Sequence, residues 1–137
     1  MLIAIIFLWI GFVTAISFME AWIKFLAPGV TLSVGLSIGR LVFRALNVVE
    51  WLFCFTLIGL HIFFLVNPEK RFLLLFLLCG IILVLQTLWL LPALDERALK
   101  WLRNENPGPS SLHRYYVLLE IIKLSLLIYA GVLACQH

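Results

Sequence analysis

Residues 72–91 read FLLLFLLCGIILVLQTLWLL, from Phe72 to Leu91, with no charge and with Gln86 as the lone strongly polar side chain. A run of this length matches the ~20 apolar residues that an α-helix needs to cross a hydrocarbon core. It is too long for a buried strand, and it lacks the polar face of a soluble surface helix. Pro92 predicts its end, and Asn67-Pro68-Glu69-Lys70-Arg71 precedes it as a short polar turn built on a helix breaker.

Three further runs of the same kind flank it. The first covers Leu2 to Trp22 and carries no charge before Glu20; the second covers Leu46 to Val66 and contains Glu50 and His61; the last covers Tyr115 to Cys135 and contains Glu120 and Lys123. The chain therefore reads as all-α, a polytopic bundle of four transmembrane helices over about 2–22, 46–66, 72–91 and 115–135, in a single transmembrane domain 1–137. Composition agrees. Of the 137 residues 64% are hydrophobic and 12% charged, and a soluble domain this small has too little interior to hide that much apolar surface. The first run resembles a signal sequence, but the first basic residue is Lys24 and the run exceeds a signal's apolar stretch, so an uncleaved first helix is the expectation.

The two longer connections, 23–45 and 92–114, hold Lys24, Arg40 and Arg44 in one and Arg97, Lys100, Arg103 and Arg114 in the other. The 67–71 turn holds Lys70 and Arg71. Seven basic residues against two place both long connections on the cytoplasmic side and both termini outside, in a cell membrane. The net charge of +3 is thereby a matter of topology, and no nucleic-acid partner is expected; the lipid bilayer is the partner that composition itself names. The first connection, with Pro28, Gly29, Gly35 and Gly39, reads as interfacial, re-entrant or part of the second helix. In the other, Asp95 to Glu105 predicts a short amphipathic helix, ended by Pro107-Gly108-Pro109, with Ser110 and Ser111 as N-caps for the last helix.

Ionisable groups within a membrane segment are costly and face a bundle interior or a cavity. On the second helix Arg40, Asn47, Cys54 and His61 recur every seven residues, with Arg44 and Glu50 alongside. On the fourth, His113, Tyr116, Glu120 and Lys123 share a face. The candidate site is accordingly an intramembrane polar cluster of Asn47, Glu50, Glu120 and Lys123, with Glu20, Arg44, Gln86 and His113 as secondary members. The last helix places Glu120 three residues from Lys123, and a partner on the second helix, Glu50, relieves the cost of the buried charge.

Three functions fit this pattern. One is a transporter or channel-like bundle for an ion or small polar solute. Another is a non-catalytic scaffold or accessory subunit whose polar residues set helix packing. The last is a membrane enzyme acting on a lipid or quinone through His113. No serine-hydrolase elbow, zinc-protease helix motif or phosphate loop occurs, so catalysis ranks low and no cofactor is called for. His61, Cys135 and His137 would form a three-ligand soft metal set if they met on the outer side, but their spacing is unspecific and no metal is expected. Cys54, Cys79 and Cys135 form no C-x-x-C pair and read as inert thiols. Small residues at Gly11, Ala15, Gly59 and Gly131 would let helices approach closely, which suits a homo-oligomer or a larger membrane complex.

Trp22, Phe25 and Gly29 after the first helix, Trp89-Leu90-Leu91-Pro92 at the end of the third and Pro109-Ser110-Ser111-Leu112-His113-Arg114-Tyr115 before the fourth carry a resemblance. In these the chain resembles the small four-helix membrane family that includes eukaryotic transmembrane protein 205 and related bacterial proteins. The resemblance implies a four-helix membrane protein with no assigned reaction. The family pattern has an amide where Glu120 stands here.

Overall fold

A computed structural model describes residues 1–63 and 70–136. Its four long helices are α1 (Leu2–Leu26), α2 (Leu32–Phe63), α3 (Lys70–Leu102) and α4 (Leu112–Cys135), each long and apolar enough to cross a membrane. No strand occurs among the described residues. The turn expected at Asn67-Pro68-Glu69 and the end of the second run at Val66 lie outside them.

Helix α1 packs on α2 and α4, and α3 packs on the same two, so the helices form a ring around one interior. That interior holds Ile6, Trp9 and Val13 of α1, Cys54 and Leu57 of α2, Phe76, Cys79 and Leu83 of α3, and Leu127 and Ala130 of α4. The outer face is apolar too: Leu52 is 62% exposed, Leu74 59% and Leu118 53%. Water would penalise such a surface, whereas lipid tails are as apolar as leucine, so close packing and interior polar bonds hold the helices together. Gly131 serves that packing, since a Cβ there would stand 3.2 Å from the Phe7 ring, while Gly11 and Gly59 have nothing within 4 Å. Trp22, Trp89 and Tyr115 are exposed near one end of the bundle, where amphipathic rings mark a membrane interface.

Two boundaries differ from the sequence reading. The second helix begins at Leu32 rather than near residue 46, so of the three readings left open for the first connection, the one that makes it part of the second helix holds from Leu32 onward. Its Gly35 and Gly39 are packing positions: a Cβ on Gly35 would strike the Phe25 ring at 2.1 Å, and one on Gly39 the Lys24 Nζ at 2.7 Å. The tail of α1 thus folds onto bare backbone of α2. Glu50, in consequence, lies about five turns inside its helix rather than one.

The third helix does not stop at Pro92. A π-helical segment, Gln86–Leu90, precedes the proline, and Leu91–Leu102 continues the same rod. Proline lacks an N–H, and a widened turn before it accommodates the freed carbonyl without a break. The amphipathic segment expected at 95–105 is helical as far as Leu102, but as the end of α3 and not as a separate short helix. At 32 and 33 residues, α2 and α3 are each ~50 Å long, well beyond a ~30 Å hydrocarbon core. They project together at one end, where Asp95 of α3 pairs with Arg40 and, at 2.5 Å, with Arg44 of α2. At the start of α4 Ser110 Oγ accepts the Leu112 N–H at 3.2 Å, whereas Ser111 makes no side-chain cap.

Candidate functional site

Lys123 stands midway along the 24 residues of α4 and is fully buried, as are Glu50 and Glu120. Its ammonium forms an ion pair with Glu50 Oε1 at 2.5 Å and donates to Gln86 Oε1 at 2.9 Å and Glu120 Oε1 at 3.1 Å. Three acceptor oxygens thus surround one cation. Gln86 also donates from Nε2 to Glu120 Oε1 at 2.8 Å, and the Trp9 indole donates to Glu50 Oε1 at 3.0 Å. Each of the four helices contributes: Trp9 from α1, Glu50 from α2, Gln86 from α3, Glu120 and Lys123 from α4.

The second oxygens, Glu50 Oε2 and Glu120 Oε2, are buried and have no hydrogen-bond partner among the described residues. Each of these carboxyls thus turns one oxygen to the cation and keeps the other clear of it. Tyr116, also buried, lies next to Glu120 and to Ser17 of α1. Ser17 Oγ and Glu20 Oε1 are likewise unpartnered among the described residues. Ser17 falls in a π-helical segment, Thr14–Glu20, and Gln86 opens the other one. Such segments re-aim side chains and recur at functional sites. A line of polar atoms thus runs from Glu120 past Tyr116 and Ser17 to Glu20, toward the end where α2 and α3 project.

The cluster expected from the sequence is assembled with one exchange of membership. Glu50, Glu120 and Lys123 meet, and Gln86 moves from a secondary to a central place. Asn47 does not join. It faces Thr87, whose hydroxyl lies 3.0 Å from Asn47 Oδ1, and that hydroxyl accepts the Trp51 indole N–H at 3.0 Å. The reason is helical phase: Asn47 is three residues before Glu50 and one turn nearer the helix start, at the level of Thr87 rather than of Lys123. Glu20 pairs with Lys24 at 3.1 Å, Arg44 with Asp95, and His113 is exposed, so these secondary members belong to the projecting end. His61 is buried beside Phe72 and Phe76. His137 lies outside the described residues, and no group of three metal-ligand side chains forms among the described ones.

Sequence reasoning missed Trp9. Counting back from Glu20 and Ser17 by three or four residues at a time gives Val13, Trp9 and Ile6, the buried face of α1. An indole on that face, at the depth of a carboxylate on another helix, is the signal that could have found it.

At the projecting end lies a cleft of ≈ 240 Å³ between α1, α2, α3 and the start of α4. Phe25, Leu91 and His113 line it, together with Lys24, Arg40 and Arg44. Compared with known proteins, the chain matches no protein-family model, no curated protein and no solved structure.

Proposed function

We propose that this bundle is a small transporter coupled to a proton or a monovalent cation, with Glu50, Glu120 and Lys123 as the exchange site. The carrying observation is the surplus acid. A structural ion pair needs one carboxyl for one ammonium, and here two carboxyls meet one ammonium with none of the three exposed. With one proton or cation on the carboxyl pair the site is neutral and stable in a dry interior. Without it the site carries a full negative charge, which such surroundings penalise heavily. That difference supplies a driving force for opening the bundle toward water when the site is empty and closing it when loaded. Ser17, Tyr116 and Glu20 provide the polar route on the side of the projecting helices.

The test is flux in vesicles. The full chain reconstituted in liposomes should dissipate an imposed pH or cation gradient. Glu120→Gln and Glu50→Gln should each cut the rate about tenfold or more, since each removes the exchangeable charge. A specific observation favours a second reading, the non-catalytic scaffold: neither of two surface clefts touches the cluster. Wild-type vesicles no leakier than empty ones would decide for the scaffold.

The same reading places the projecting end in the cytoplasm and both termini outside, on the bias of basic residues. Cys54 and Cys79 are buried and Cys135 is exposed at the opposite end. In sealed cells a membrane-impermeant maleimide should label Cys135, and Asn104→Cys should add no further label until the membrane is opened. Labelling at position 104 from outside would reverse the orientation.

A further inference from the structure

The cleft at the projecting end has a charge pattern that the exchange site does not use. Asp95 is shared by Arg40 and Arg44, so two guanidinium groups face one carboxylate. Lys24 is already matched by Glu20. One positive charge is therefore left over in the cleft. Arg40 engages Asp95 through Nε and Arg44 through one terminal nitrogen, and Arg44 remains 53% exposed. Guanidinium groups carry five N–H donors each, so both keep donors to spare for a phosphate.

Around these cations the walls are greasy: Phe25, Leu36, Phe43, Leu91 and Leu94. The cleft lies at the level of the exposed Trp22, Trp89 and Tyr115, which is headgroup depth. Its ≈ 240 Å³ is below the ~300 Å³ at which whole-molecule sites begin, so it takes part of a ligand whose remainder lies in the bilayer. Basic recesses between membrane helices recognise anionic lipid headgroups by this combination.

We propose that this cleft binds one anionic phospholipid, with its phosphate on Arg40 and Arg44 and the first carbons of its chains against Phe25, Leu36 and Leu94. Asp95 is the internal competitor: it holds the two arginines when no lipid phosphate is present and gives up donors when one arrives. The site is independent of the exchange cluster, so either can fail without the other.

Native mass spectrometry of the full chain in detergent tests this, with phosphatidylglycerol and phosphatidylcholine added at equal concentration. One phosphatidylglycerol should be retained per chain in preference to phosphatidylcholine. Arg44→Gln should weaken retention about fivefold, the effect of one cation at an anionic headgroup. Asp95→Asn should strengthen it by about the same factor, because the competitor is gone. A merely structural role for Asp95 predicts the reverse sign, so that variant separates binding from folding damage. Equal retention of the two lipids, indifference to both substitutions, or displacement of phosphatidylglycerol by an equal concentration of inorganic phosphate would each overturn the proposal; the last would assign the cleft to a free anion.

Discussion

Lys123→Met should be among the most damaging single changes in this chain, and Lys123→Met combined with Glu120→Gln should be milder. Methionine fills the volume, so the loss is electrostatic. The ammonium makes two hydrogen bonds and a further ion pair in a fully buried position. Removing one partner of a buried ion pair costs about 3–5 kcal/mol, because the remaining charge has no compensation. Here two carboxyls would remain with no cation between them. Converting Glu120 to the amide removes one of these and keeps a group that can bond Gln86. The double variant should thus recover on the order of 1–2 kcal/mol, a coupling of the size that contacting residues show. Adding Glu50→Gln makes the network neutral and should recover more. Thermal midpoints in detergent and the yield of membrane-inserted protein provide the order. If the effects simply add, the three residues do not act as one site, and the exchange reading loses its base.

Much of this site is legible in the sequence because membranes make charge expensive. Glu50, Glu120 and Lys123 stand out in apolar runs, and helical spacing puts the last two on one face. Their convergence follows from cost alone: each needs a partner, and few candidates exist. What the sequence hides has specific physical causes. Trp9 is apolar by composition, and its one N–H acquires meaning only when α1 meets α2. The extent of α2 is hidden because Ser33, Gly35, Ser37 and Gly39 are weak helix formers, and only the packing of Phe25 and Lys24 over the glycines shows why they are there. The continuity of α3 is hidden because Pro92 normally ends a helix, and the π-helical turn that accommodates it leaves no mark in hydropathy. Asn47 falls into the wrong network on periodicity, which gives a residue's face and not its neighbour at a given depth. Thr87, its true partner, is a small hydroxyl in an apolar run.

Gln86→Glu should be severely destabilising alone and nearly harmless when paired with Glu120→Gln. Glutamine and glutamate have almost the same shape, so the single change tests charge and not packing. In the wild type Gln86 is the mediator of the cluster: its Oε1 accepts from Lys123 and its Nε2 donates to Glu120 Oε1. A carboxylate there can still accept from Lys123 but cannot donate, so it confronts Glu120 with like charge across 2.8 Å. A third acid around one ammonium raises the buried imbalance by a full charge. The cost should reach about 3 kcal/mol or more, in the range of a buried uncompensated charge. The swap restores the count. The carboxylate now on α3 then accepts from Lys123, and the amide now on α4 donates to that carboxylate, so the bond survives with donor and acceptor exchanged. The double variant should unfold within about 1 kcal/mol of the wild type. It also keeps two carboxyls and one ammonium, so vesicle flux should persist, whereas Glu120→Gln alone should cut it about tenfold or more. That combination separates the two readings of the cluster. A scaffold needs only the hydrogen bonds, and it would tolerate Glu120→Gln without consequence; an exchange site needs the surplus acid, whichever helix supplies it. Flux lost in Glu120→Gln and regained in the swap would tie transport to the charge count. A swap that folds well but carries no flux would instead bind the function to the Glu120 position, and the count of carboxyls would no longer explain it.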